Sequence, residues 1–378
     1  MKIGVIIASF LPGVAYGGVA SVAAEQAKEL ALRGHQITIL TSDIIDPSTG
    51  ERVKSSLNEY CHDKYWIIRF SSLLLMRRFA AIYSLKLLKW LFLHWSEFDF
   101  FYIHYARGFI PMLPVELLYL VKAKYYLQPH GMLDRVNGVR SWIDIFFTKK
   151  HIKHAEKVFA LHASERRGIK ELVPDAQISI LPNGIRIDKD FPAWKGLGKY
   201  PKIILFLGRL HPRKRVLTFI DVAKLLLAKR SDLKFRIVGP DGGDELEARK
   251  KVETSGIEKF VEFVGPVHHD MIYHEYANAA IYILPTEYEN FSISVLEALM
   301  VGIPTIVTTT TLNLGILDSS NAVYVSEPDA SSLGEAIETL VDHPEMCFTQ
   351  SKNGKILINK QLNISHVVDI LEEHFNEE

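Results

Sequence analysis

Two glutamates, Glu289 and Glu297, stand eight positions apart in the stretch EYENFSISVLEALMVG. Paired carboxylates serve either as an acid and a base or as acceptors for hydroxyl groups. FSISVLEALMVG has helical spacing, which puts Glu289, Asn290, Phe291 and Ser292 at or just before a first turn. N–H groups of a first turn lack intrahelical acceptors and favour a phosphate. Glu297, about one and a half turns further in, suits a ribose diol, and Glu289 suits sugar hydroxyls. The alternative makes Glu289 a capping carboxylate and leaves Glu297 solvated.

Three other stretches carry candidate chemistry. In GRLHPRK, Arg209 and Lys214 follow an apolar run and suit a diphosphate, one as a fork and one as a point charge. Solvated loop cations are the competing reading. In YGGVA, Gly17 and Gly18 let backbone N–H groups approach an anion at a helix start, or simply make a tight turn. In LQPHGMLD, His130 and Gly131 end an apolar strand, where a histidine can donate to a phosphate or sugar oxygen or serve the structure alone.

The elements that would position these residues alternate. KIGVIIASF, QITILTS, YWIIRF, FFYIHY, AKYYLQPH, KVFALH and QISILPNG read as strands, with a helix from Val19 to Gly34 after the first. RIDKDFPAWKGLGKYP is polar and rich in Gly and Pro, as a linker is. The alternation then restarts with KIILFLGRL, LKFRIVGP, VEFVGPV, AIYILP and PTIVT as strands and helices between them. With 378 residues the chain has room for two doubly wound α/β domains. The expected division is an N-terminal domain 1–185, a linker 186–201, a C-terminal domain 202–355 and a C-terminal helix 356–378 able to pack back on the first domain.

Composition excludes little. Formal net charge is zero, which gives no argument for nucleic acid, yet residues 1–185 are net basic by seven and 186–378 net acidic by seven. Two distant cysteines, Cys61 and Cys347, form no metal spacing and no disulfide framework, as expected in a reducing, cytoplasmic compartment. MKIGVIIASF reads as a first strand rather than a targeting signal, and no long uninterrupted apolar run implies a membrane span.

In combination and in order, GG, HGM, LPNGI, GRLHPRK, IVGPDG and EYENFSISVLEALMVGIPTIV resemble the retaining glycosyltransferases of family 4, with the GT-B fold. The resemblance implies two Rossmann-like domains facing each other across a cleft. It implies a retaining hexosyltransferase that moves a sugar from a nucleoside-diphosphate sugar to an acceptor, in polysaccharide, glycolipid or glycoprotein glycan assembly. Arg209 and Lys214 would hold the donor diphosphate, and amides around Asn290, Phe291, Ser292 and Ile293 would bind phosphate and sugar. Glu297 would bind the ribose, Glu289 the transferred sugar, and His130 would lie beside the anomeric centre. Gly17 and Gly18 would close on the diphosphate from the other domain. No cofactor or metal is implied. A nucleotide-sugar epimerase on the same fold is the alternative, and the absence of GxGxxG disfavours a dinucleotide dehydrogenase.

Two departures stand out. Asn290 and Ser292 carry side chains where the family often has glycines, which would narrow the sugar pocket. Lys214 is followed by Arg215 rather than by the usual glycine. For metals, Asp188 and Asp190 form a DxD pair in the linker, while His268, His269, His274, His151 and His154 read as surface residues of helices.

Residues 64–96 hold six basic residues (Lys64, Arg69, Arg77, Arg78, Lys86 and Lys89) and no acidic one. If helical, the segment gathers Arg78, Lys86 and Lys89 on one arc amid aromatics and leucines. That suits peripheral contact with an anionic membrane and a lipid-linked acceptor, or equally a core helix whose lysines snorkel.

Overall fold

The computed structural model describes residues 1–12, 18–53, 58–60, 65–133, 142–187, 191–198, 201–311 and 314–376. Gly17, Cys61, Lys64, Asp188 and Asp190 lie outside them. The chain forms two compact units, Met1–Gly184 with Ile364–Glu378, and Ile185–Asn363.

The first unit is built on an eight-stranded sheet. Its order is Ile178–Ile180, Lys157–Ala160, Tyr125–Gln128, Phe100–His104, Lys2–Ile6, Gln36–Ser42, Trp66–Phe70 and Asn58–Tyr60. All neighbours are parallel except the last pair. Parallel strands are covered on both faces, which is why they read as unbroken apolar runs. The strand order reverses between Lys2–Ile6 and Phe100–His104.

The second unit has six parallel strands, ordered Val261–Gly265, Leu233–Val238, Lys202–Leu207, Ile281–Leu284, Thr305–Thr308 and Tyr324–Ser326. Here the order reverses between Lys202–Leu207 and Ile281–Leu284. In open α/β sheets ligands bind beyond the carboxyl ends of strands at such a reversal.

The segment read as a linker is part of this second unit. Trp194 donates its indole N–H to Ala279 O at 3.0 Å, and its backbone N–H goes to Val301 O at 3.0 Å. An apolar ring outweighs the polar residues around it in deciding where the segment lies.

The chain end is not one helix over 356–378. A helix Pro344–Leu357 runs into a wider turn at Ile358–Leu362, and a new helix spans Ile364–Phe375. That last helix buries Val367, Val368, Leu371 and Phe375 in the core of the first unit. Arg33 ties it down through Asp369 (2.6 Å) and Glu372 (2.7 Å). Gly184, in the LPNGI motif, passes so close to this helix that an added Cβ would lie 2.9 Å from Ile364 Cα.

The basic segment also differs from its expected form. The helix is confined to Leu85–His94, with Ser84 as N-cap, so Arg78 is not on it. Arg78 sits in the loop of a small hairpin, Leu73–Leu74 with Ile82–Tyr83. Arg69 is buried and donates to Leu11 O. Among the described residues no helix is long and apolar enough to cross a membrane.

Candidate functional site

In the second unit, both flagged motifs leave the two strands that flank the reversal. Gly208 to Arg215 follow Lys202–Leu207, and Pro285 to Ser292 follow Ile281–Leu284. The two loops are laced together. Arg213 O accepts from Glu287 N (2.9 Å) and from Thr286 Oγ1 (2.9 Å). Lys214 Nζ pairs directly with a carboxylate oxygen of Glu289, across 75 positions of sequence. Glu289 is therefore the partner of a cation and not the helix cap.

Behind Arg209 the packing leaves no room for side chains. A Cβ on Gly242 would meet Arg209 Cγ at 2.7 Å, and one on Gly239 would meet Gly208 O at 2.0 Å. The glycines of LGRL and VGPDG thus let two strand ends approach and present Arg209, which is exposed and makes no ion pair among the described residues. Arg215 adopts a left-handed backbone (φ 56°), the conformation a glycine takes without strain. Its guanidinium donates to Pro328 O at 2.6 Å, so the extra cation is a structural strut.

Ser292 caps the helix Ile293–Val301, accepting from Val295 N at 3.4 Å, and its hydroxyl also meets Ser294 Oγ at 2.8 Å. The expectation that this side chain narrows a sugar pocket is corrected: it is buried and turned into the helix terminus, because a free first-turn N–H attracts it. Gly302 closes the helix with a left-handed φ of 89°.

Glu297 is not solvated; it is only 7% exposed. Tyr276 Oη lies 3.3 Å from its carboxylate and 2.9 Å from Ser294 O. The single phenolic proton goes to the shorter contact, so a protonated Glu297 can in turn donate to the phenol. Burial pushes the Glu297 carboxyl up from 4.5 to about 7, and the Tyr276 contact offsets this only in part.

In the first unit, His130 follows the strand Tyr125–Gln128, and His104 ends the strand Phe100–His104, beside the reversal. The rings lie nearly parallel (13°) with centroids 5.0 Å apart and meet edge to edge, with His104 Nδ1 2.7 Å from His130 Nε2. Both are buried, and burial lowers His130 from 6.5 to about 3 and His104 well below its usual value. The rings share one proton on this contact; two charged rings would set N–H against N–H.

His130 (φ 54°) and Gly131 (φ 74°) form a left-handed pair. Glu165 holds it, accepting from Gly131 N (2.5 Å) and Leu161 N (2.6 Å). Arg107, paired with Asp144 at 2.7 Å, donates to Met132 O at 2.9 Å and steadies the next residues. His104, Glu165, Arg107 and Tyr276 were not singled out from the sequence. His104 carries the same signal as His130, a histidine closing an apolar strand. Gly18 opens the helix Gly18–Leu32 and is exposed.

Because the folded histidine pair binds fewer protons than the unfolded chain, its contribution to stability is present above about 6.5 and is lost as pH falls towards about 3. A His104→Asn, His130→Asn variant will show a flatter fall in melting temperature between pH 6.5 and 4 than the parent, read by circular dichroism.

His151 is not a surface residue. It is buried, with Tyr105 Oη at 2.8 Å and Glu116 at 3.0 Å, because its short helix turns that face to the sheet. His154 and His268 are exposed, and among the described residues no three metal-ligating side chains converge.

Two family models account for most of the chain: Glycosyltransferase Family 4 over residues 16–189 and Glycosyl transferases group 1 over residues 188–356. The chain belongs to the family 4 glycosyltransferases, with the GT-B fold. It is 24% identical over 213 residues to a D-inositol 3-phosphate glycosyltransferase of Geodermatophilus obscurus, covering 52% of this chain and 47% of that one. It is 26% identical over 253 residues to a UDP-Gal:alpha-D-GlcNAc-diphosphoundecaprenol alpha-1,3-galactosyltransferase of Escherichia coli, covering 63% of each. The chain spans about half the length of the curated relatives it matches. Among solved structures, Anabaena HepE in complex with UDP superposes with a TM-score of 0.77 at 14% identity, covering 99% of both chains.

Proposed function

We propose that the protein is a retaining hexosyltransferase that moves a sugar from a nucleoside-diphosphate sugar to an acceptor hydroxyl in glycan assembly. The observation that carries the reading is the grouping at the reversal of the second sheet of Lys214 paired to Glu289, a serine-capped helix start, and buried Glu297. Arg209 and Lys214 take the diphosphate, with the N–H groups around Asn290, Phe291, Ser292 and Ile293. Glu297 takes the ribose diol and Glu289 the sugar hydroxyls. Lys214 then exchanges its carboxylate for phosphate oxygens, which frees Glu289 for the sugar.

In the reaction the bond from the anomeric carbon to the leaving phosphate oxygen breaks as the acceptor oxygen bonds to the same face. The leaving phosphate accepts the acceptor's proton. Negative charge grows on the diphosphate, where Arg209, Lys214 and the helix start stabilise it. His130, neutral in its buried pair with His104, acts as a hydrogen-bonding ring for the sugar and not as a general acid. Its role and that of Gly17 and Gly18 rest on the family pattern. The reading needs no metal ion.

A UDP-bound neighbour of the same fold makes uridine diphosphate sugars the first donors to try. A relative acting on a diphosphoundecaprenol-linked sugar favours lipid-linked acceptors. The test is proton NMR of a donor panel incubated with and without such acceptors. Nucleoside diphosphate released with acceptor, together with a product of unchanged anomeric configuration, is the expected result. Donor epimerised without acceptor, or an inverted linkage, would overturn the reading.

A further inference from the structure

The first unit carries an apolar surface beyond the segment that the charge pattern marks. The loop of the hairpin 73–83 presents Leu75 and Met76, the latter 62% exposed, beside exposed Arg77 and Arg78. The helix Leu85–His94 turns Leu87 and Leu91 inward and leaves Leu85, Phe92 and Leu93 outward with Lys86 and Lys89. A third element repeats the pattern. Over 142–154 the outward positions are Trp142 (61% exposed), Ile145, Phe146 (58% exposed), Lys149, Lys153 and His154. Trp142 and Phe146 stack on each other at 5.9 Å and 12°.

The start of the helix Phe109–Leu120 joins these elements. Gly108 lies against Ala80 of the hairpin, where an added Cβ would be 3.0 Å from Ala80 Cα. Phe109 is exposed and meets Tyr83 edge to face at 6.2 Å. Arg107, two residues before Phe109, anchors Asp144 of the third element at 2.7 Å. Asp144, the acid within this third element, is thereby buried and neutralised.

A monomer rarely exposes so many large apolar groups together. Here they alternate with cations on three neighbouring elements, and residues 64–96 hold no acid. We infer that this face docks on an anionic lipid bilayer, with Trp142, Phe146, Phe92 and Met76 entering the headgroup layer and Arg77, Arg78, Lys86 and Lys89 meeting lipid phosphates. Aromatic and aliphatic side chains ringed by lysine and arginine match that interface better than a protein partner, whose buried centre is depleted of charge. The inference goes beyond the proposed transfer reaction and is tested without substrate.

The experiment is co-sedimentation of the full chain with vesicles of phosphatidylcholine alone or with phosphatidylglycerol, at low salt. The expected result is binding to the anionic vesicles only. It should weaken roughly tenfold or more both in Arg77→Glu with Arg78→Glu, which turns surface cations into anions, and in Ile145→Glu with Phe146→Glu, which puts charge among the inserted apolar groups. Unchanged far-UV circular dichroism shows that the variants, all at exposed positions, remain folded. Absence of binding to anionic vesicles, or both variants sedimenting like the parent, would overturn the inference. So would self-association in ultracentrifugation abolished by the same substitutions without vesicle binding, since that makes the face a protein interface.

Discussion

Replacing Lys214 by alanine will lower sugar transfer by about 100- to 1000-fold, the usual effect of removing one donor aimed at developing negative charge. The loss will fall mainly on kcat, because the charge on the diphosphate grows as the bond to the sugar breaks. The fold will hardly notice. Lys214 and Glu289 pair at a partly exposed position, where such a bridge adds about 0–1 kcal/mol. Lys214→Arg keeps the charge but spreads it over a planar fork, and should recover part of the rate. Steady-state kinetics beside urea denaturation separates the two effects. A variant equally impaired in stability and rate would show that the pair serves the fold.

The second large effect belongs to Glu297. Its carboxyl, held at about 7 by burial, is protonated at lower pH and charged at higher pH. A ribose diol donates two hydrogen bonds and therefore prefers the charged form, so donor affinity should rise as pH climbs through about 7 and binding should release a proton. Glu297→Gln removes that proton release and weakens donor binding by about 100-fold, because hydrogen bonds to a charged group contribute about 1.5–3 kcal/mol each. Calorimetric titration in buffers of different ionisation enthalpy reads both.

Stability moves the other way. The folded carboxyl takes up protons more readily than the unfolded one, so its contribution is complete below about 4.5 and disappears as pH rises to about 7. A carboxyl displaced this far costs about 3 kcal/mol when ionised. Glu297→Gln should accordingly melt higher than the parent at pH 8 and bind donor worse, the signature of a residue retained for ligand and not for the fold.

The parallel strands were legible because strands buried on both faces read as unbroken apolar runs, and IILFL and AIYIL are such runs. The helix of the opening stretch was legible from the spacing of FSISVLEALMVG; its Ser292 and Gly302 caps are seen in the structure. What lay hidden depends on where loops far apart in sequence return. Lys214 meets Glu289 only because their strands become neighbours at the reversal of the sheet. Burial of a polar group is hidden in the same way. His151 reads as a surface residue, and nothing in the sequence shows that Glu297 or Arg69 is buried, yet each has a partner supplied by another element. Arg78 shows a further limit: a helical wheel drawn through it crosses a hairpin that LLLMRRFAAIY does not announce.

The most direct test of the account is titration of a panel of nucleoside diphosphates into the parent protein, Lys214→Ala and Glu297→Ala by isothermal calorimetry. The account predicts saturable binding of at least one diphosphate by the parent, with affinity lowered roughly tenfold or more in each variant. Binding by all three proteins with equal affinity, or by none of them, would contradict it.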